Sequence, residues 1–195
     1  MRSEVGIGIF GGTFDPPHVG HVVAATVARH ALGLDHVLLT VANRPWQKVA
    51  TRDVTPAADR LALVEALVEG VEGLEASSVE IDRGGDSYTA DTIVDVLAGR
   101  PGGHAFVIVG SDAAAGIETW KRADEVRDAA TIVLVDRPGV ASPPLPSGWT
   151  FERVDIPRLD VSSTDIRRRI AGGEPVDGLV PPRVRSVIEA RGLYR

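Results

Sequence analysis

A chain of 195 residues, 44% hydrophobic and 25% charged, is long enough for one well-cored α/β domain and too apolar to be disordered. It contains no cysteine, which excludes disulfides, thiolate metal sites and a cysteine nucleophile, and which agrees with a cytoplasmic protein. Its formal net charge of −6 argues against general nucleic-acid binding, so any phosphate site must draw on local positive charge, such as the run Arg167, Arg168, Arg169.

Val5 to Phe10 reads as a buried parallel strand, and His18 to Leu32 as a helix stopped by Gly33. Between them lies Gly11-Gly12-Thr13-Phe14-Asp15-Pro16-Pro17, a turn without side chains at its start. A helix start offers unpaired N–H groups and the positive end of the peptide dipoles, so it attracts phosphate. Asp15 suits an N-cap, Pro16 and Pro17 suit a first turn, and His18 and His21 share one helix face. The stretch therefore reads as a polyphosphate cradle with two imidazole donors. His36 to Val41 is a second strand, and strand–helix–strand implies a right-handed crossover.

Ala42 to Val54 lacks periodicity and carries Asn43, Arg44, Trp46, Gln47, Lys48 and Arg52. It is either an ordinary connection or a partly basic loop over the strand end. Thr55 as N-cap and Pro56 at the first position open a helix to about Val68. Leu74 to Ile81 reads as a third strand, Asp82 to Ser87 as a Gly-rich turn and Tyr88 to Leu97 as a helix. Ala105 to Val109 is a central strand with Gly110-Ser111-Asp112 at its carboxyl end. A short turn over Ile117–Trp120, a helix over Ala123–Ala130 and a strand over Thr131–Val135 follow. Arg137 to Gly148 is an irregular Pro- and Gly-rich excursion, Phe151 to Asp155 an edge-like strand, and Ser162–Ala171 and Pro181–Arg191 the last helices. The alternation predicts an α/β fold with a doubly wound, mainly parallel sheet in a single domain, 1–195. Ligands in such sheets bind beyond the strand carboxyl ends, where the Gly-Gly turn, the Asn43–Lys48 loop and Gly110-Ser111-Asp112 all fall.

Two other readings compete at the first motif. Gly6, Gly8 and Gly11 spell G-x-G-x-x-G, but two of these glycines fall inside the strand, where a dinucleotide turn has no use for them. Asp15, His18 and His21 could ligate zinc, yet His30, His36 and His104 lie in segments with no shared motif and read as ordinary surface or core groups. A second informative stretch is Val161-Ser162-Ser163-Thr164-Asp165-Ile166-Arg167. On its own it reads first as a capping run, with Ser162 and Asp165 close to a capping box; the alternative is a second anion cradle with Arg167 one turn on.

G-G-T-F-D-P-P-H-V-G-H together with V-S-S-T-D-I-R resembles the nucleotidylyltransferase superfamily, and within it the bacterial nicotinate mononucleotide adenylyltransferases. The resemblance covers nearly the whole chain. Ser87-Tyr88-Thr89-Ala90-Asp91-Thr92 is similar to the segment that shapes the family's nicotinate pocket, Gly110-Ser111-Asp112 to its strand-end G-x-D, and Trp120 to its pyridine-stacking aromatic residue. The family's P-H-K loop is here Trp46-Gln47-Lys48, and Val161 replaces isoleucine.

The resemblance implies a Rossmann-like nucleotidylyltransferase fold whose C-terminal helical part, about 162–195, completes the ATP site. It implies transfer of AMP from ATP to nicotinate mononucleotide in NAD biosynthesis, with Mg²⁺ held mainly by substrate phosphates and no metal ligands from the protein. His18, His21, Lys48 and Arg167 are the implied catalytic residues. ATP would contact these together with Gly11, Gly12, Thr13, Phe14, Gly110, Asp112, Ser162, Ser163 and Thr164. Nicotinate mononucleotide would meet Thr13, Phe14, the Thr89 backbone N–H, Asp112 and Trp120. Nicotinamide mononucleotide, alone or as a second acceptor, is the alternative substrate, and a non-catalytic nucleotide-binding module the alternative class. Phosphopantetheine as acceptor would leave Tyr88–Thr92 and Trp120 without a use. No nucleic acid or membrane partner is expected: no basic leader precedes an apolar core, and no apolar run nears the roughly 18 residues of a membrane span. Homo-oligomerisation stays open.

Overall fold

The computed structural model describes residues 6–45, 53–136 and 146–195. Strands β1 (Gly6–Gly12), β2 (His36–Val41), β3 (Leu74–Ser77), β4 (His104–Gly110), β5 (Ala130–Asp136) and β6 (Phe151–Asp155) form one sheet in the order β3-β2-β1-β4-β5-β6. Each neighbouring pair is parallel. From β1 the chain winds outward to β3, returns to place β4 beside β1, and winds outward again to β6. The direction of winding reverses between β1 and β4, and there the strand ends open a crevice.

Successive residues of a strand face opposite sides, and the two cores show this alternation. Val37, Leu39, Val41, Ile108, Val133 and Val135 pack in one core with helices α1 (Val19–Leu32) and α2 (Ala57–Val68). The C-terminal helices α7 (Ser163–Ala171) and α8 (Pro182–Ala190) join the same core through Ile166, Val184 and Ile188. Ile7, Ile9, Leu38, Val107, Val109, Ile132 and Leu134 face the other core, with α4 (Thr89–Ala98), α5 (Ser111–Ala115) and α6 (Ala123–Ala129). Gly8 lies in a packed strand: a Cβ there would meet Val37 Cγ2 at 2.8 Å and Leu34 Cδ1 at 3.2 Å. That close packing, rather than a dinucleotide turn, accounts for this glycine of the G-x-G-x-x-G spelling.

Several boundaries differ from the sequence reading. β1 does not end at Phe10: Gly11 and Gly12 stay in the strand, paired with Thr40 and Val41 of β2, so the turn that carries Phe14 starts only after them. The third strand ends at Ser77, and Val79–Arg83 is a helical turn, α3. β2 pairs with it only to Ser77, and the turn folds Glu80 inward, where its Oε1 accepts from Thr92 Oγ1 at 2.6 Å. The first helix begins at Val19 with His18 as N-cap, so Pro16 and Pro17 precede it, and Asp15 is not its cap. Pro56 stands at the N-cap of α2, and Thr55 contributes its carbonyl to Arg60 instead of a cap. Helix α5 directly follows β4, where no helix was expected. Lys48, with the rest of 46–52, and residues 137–145 lie outside the described residues. Among those described, no helix is long and apolar enough to cross a membrane.

Candidate active site

The crevice between β1 and β4 runs on both sides of Gly11 and Gly12. Gly11 has open space where a Cβ would sit, whereas a Cβ on Gly12 would touch the Phe14 ring at 2.8–3.0 Å. The turn beyond is tightly built. Phe14 is buried with φ 51°, a left-handed backbone that few non-glycine residues adopt, and its ring meets Phe10 and His21 edge-on at 5.9 and 5.0 Å. The Asp15–Pro16 peptide bond is cis.

His18 and His21 meet with ring centroids 3.8 Å apart. The backbone N–H of His18 donates to His21 Nδ1 at 3.1 Å. That ring nitrogen is thus an acceptor, and the neutral ring carries its proton on Nε2 as a donor. Gly20 leaves room for this pair: a Cβ there would sit 3.0 Å from His18 Nδ1. His21 and Arg167 line the same cavity, of about 290 Å³, with Gly11, Gly12, Thr13, Ser163 and Thr164. A second cavity of about 260 Å³ adjoins it, lined by His18, His21, Ser162, Ser163, Gly110 and apolar side chains including Val161 and Ile156.

α7 is fastened to the turn from far along the chain. Ser162 Oγ accepts from the Asp165 N–H at 3.1 Å and is the N-cap, while Ser163 Oγ donates to the Pro16 carbonyl at 2.8 Å. Arg167 Nη1 donates to the Asp15 carbonyl at 2.7 Å and Nη2 to Thr164 Oγ1 at 3.2 Å. The capping reading of the Ser-Ser-Thr run holds at Ser162, and Ser163, Thr164 and Arg167 line the cavity beside Gly11 and Gly12. Arg169 and, next, Arg168 hold the Asp165 carboxyl below the usual carboxylate range. They are engaged by Asp165 and by Glu174 beyond the helix, and Arg167 is the arginine of this run that lines the cavity.

On the other side of Gly11 and Gly12 lies a cavity of about 320 Å³, lined by Phe10, Thr13, Pro45, Glu80, Ser87, Thr89, Thr92 and Trp120 among others. Asp112 lies at its outer continuation, of about 260 Å³, with Tyr88, Thr89 and Trp120. Thr89 begins α4, so its N–H is among those a helix start leaves without an intrahelical partner. Trp120 is half-buried: it packs against the second core and also lines both cavities, so core packing and site lining are not alternatives for it. Gly110 borders the cavities on both sides, whereas Asp112 lies on the Trp120 side alone.

Sequence reasoning missed Glu80 as a lining residue and Arg60 behind the turn, whereas Ser87 and Thr92, in the segment matched to the nicotinate pocket, do line the cavity. Arg60 had a signal. With Leu63, Val64, Leu67 and Val68 it falls on the buried stripe of α2, where a charge demands partners. Among the described residues no three His, Asp or Glu side chains gather as metal ligands. Asp15 instead accepts from Tyr194 Oη at 2.9 Å, and His36 and His104 pair with Glu75 and Thr131.

Residues 9–169 match the family model described as cytidylyltransferase-like. A probable nicotinate-nucleotide adenylyltransferase of Streptomyces coelicolor is 44% identical over 188 residues, covering 95% of this chain and 98% of that protein. The protein of the same name from Saccharopolyspora erythraea is 41% identical over 197 residues, 100% of this chain and 92% of its own. One from Thermus thermophilus is 41% identical, over 97% of this chain and 99% of its own. In fold, the chain resembles Plasmodium falciparum nicotinic acid mononucleotide adenylyltransferase complexed with NaAD, with a TM-score of 0.79, 15% identity and 97% of each chain covered.

Proposed function

The chain belongs to the cytidylyltransferase-like family, among its nicotinate-nucleotide adenylyltransferases, and from that premise we propose that it moves AMP from ATP to nicotinate mononucleotide, releasing pyrophosphate. The product is deamido-NAD, and the step belongs to NAD biosynthesis. The observation that carries the reading of the site is the sharing of one cavity by His21, Arg167 and the glycine turn, next to a second cavity bordered by Thr89 and Trp120. The first suits a triphosphate and the second a flat, charged ring with its ribose phosphate directed at the turn.

The acceptor phosphate is already an anion at neutral pH, so no general base is needed. One of its oxygens attacks the α-phosphorus, the bond from that phosphorus to the bridging oxygen breaks, and the electron pair leaves with pyrophosphate. What the protein supplies is alignment of two anions and neutralisation of the charge that builds on the leaving group. We assign His21 Nε2–H and the Arg167 guanidinium as donors to it, with His18 and the start of α7 on the same triphosphate. Lys48 is assigned to the polyphosphate on its sequence match alone. Gly11 and Gly12 let the substrates approach the backbone. Thr89 N–H receives the ring carboxylate, Trp120 stacks on the ring, and Asp112 accepts from a ribose hydroxyl.

Mg²⁺ supplies further charge neutralisation when bound to the ATP phosphates. The donor set fits an ion that arrives with its substrate, held by phosphate and water oxygens, because the buried carboxylate of the phosphate turn, Asp15, is engaged by Tyr194. The test is a paired assay of pyrophosphate release with ATP and Mg²⁺, using nicotinate mononucleotide and nicotinamide mononucleotide in turn. Faster turnover per KM with the acid is expected. Preference for the amide would overturn the substrate assignment, and no release with either would leave only a nucleotide-binding module.

A further inference from the structure

Behind the phosphate turn lies a buried polar group of residues to which neither substrate is assigned. Arg60, 1% exposed, donates through Nη1 to the Thr13 carbonyl at 2.9 Å, through Nε to the Thr55 carbonyl at 2.7 Å and through Nη2 to the Asn43 carbonyl at 3.2 Å. One guanidinium therefore fastens the site turn, the end of β2 and the start of α2. Asn43 carries the chain of bonds onward, since its Nδ2 donates to the Gly85 carbonyl at 2.8 Å, beside the Ser87–Thr89 wall of the cavity that Trp120 lines.

A second contact braces the turn on the side of the triphosphate cavity: the Tyr194 hydroxyl donates to Asp15 Oδ1 at 2.9 Å. Burial, and then the neighbouring Asp15 carboxylate, raise this hydroxyl above its ordinary pKa, so it remains a donor throughout the neutral range. The Asp15 carbonyl in turn receives Arg167. Thus Arg60 holds the residue just before Phe14, and Tyr194 the residue just after it, on either side of the left-handed bend.

We infer that Arg60 and Tyr194 are positioning residues for adenylyl transfer, a buried brace that sets the glycine turn and Arg167 in register with the acceptor-side wall. The inference rests on the adenylyl-transfer reading of the cleft. A guanidinium suits this role because its fixed fork can reach several carbonyls at once, which an ammonium on a flexible stem cannot do in the same plane. Small displacements of positioned groups are costly in rate: a shift on the order of 1 Å can lose a hundredfold.

The test compares Tyr194→Phe, which deletes a single hydroxyl and keeps the ring packed, with Arg60→Lys, which keeps the charge and loses the fork. Each is measured for kcat, for KM of both substrates, for affinity of a nonhydrolysable ATP analogue by calorimetry, and for thermal unfolding. The expectation for both is a kcat lowered about tenfold, analogue affinity lowered about threefold and the acceptor KM little changed, in protein that is folded at the assay temperature. Unchanged kcat and affinity beside a lowered melting temperature would overturn the inference, because a purely structural brace predicts that result. If Arg60→Lys does not fold, Tyr194→Phe decides alone. A parent chain that binds the analogue yet releases no pyrophosphate would refute the adenylyl-transfer reading, while analogue affinity in the variants would still report on the brace.

Discussion

The hydroxyl of Tyr194, half-buried against the Asp15 carboxylate, has a consequence for stability at high pH. Its pKa is raised in the folded chain, first by burial and then by Asp15, whereas in the unfolded chain it titrates near the ordinary tyrosine value of about 10. For a raised group the stabilisation is complete below the unfolded value and is lost as pH climbs from there toward the folded one. Urea midpoints should therefore fall above about pH 10, and fall less steeply in Tyr194→Phe than in the parent. Equal slopes would show that Tyr194 keeps its ordinary titration. Nothing in the sequence marked this residue. Its role depends on a contact with Asp15, 179 positions away, which no local pattern encodes. Arg60 was legible in principle, as a charge on an apolar helical stripe, because burying a guanidinium demands partners; which carbonyls it meets depends on how the loops fold.

At the scale of elements, α7 shows how a capping run also serves a site. Ser162 and Ser163 are adjacent but play different parts. The first closes the helix end, and the second ties the helix to Pro16. Ser162→Ala removes one N-cap, worth about 1 kcal/mol, so the melting temperature should fall by about 2–4 °C. Ser163→Ala should instead lower kcat, because it releases the helix that carries Arg167 from the glycine turn. Calorimetry alongside steady-state rates checks both, and the reverse pattern would refute the division. The same dependence on tertiary context explains the shortened third strand. Ser77-Ser78-Val79-Glu80-Ile81 has the β-branched content of a strand, but its pairing with β2 stops at Ser77. The inward turn that follows lets Thr92 donate to Glu80. Strand propensity alone does not decide a segment whose pairing ends and whose buried carboxylate has a donor waiting.

Across the whole molecule, alternation of apolar runs and amphipathic helices was enough to predict the doubly wound sheet, because buried parallel strands must be apolar on both faces. The β1/β4 crevice follows from that topology, and with it the placing of the glycine turn, Gly110 and the Thr89–Trp120 wall. Topology alone did not predict how the C-terminal helices return to β1, where Arg167 reaches across 152 positions to Asp15. The first motif and the last are both short; each offers a few donors, and neither alone could hold a triphosphate open to attack. Their convergence on one anion is the central claim, and a crystal structure of the chain with a nonhydrolysable ATP analogue tests it most directly. The account predicts a phosphate in contact with both His21 and Arg167, with the start of α7 facing it. An analogue bound elsewhere, or one whose phosphates touch only one of the two side chains, would contradict it.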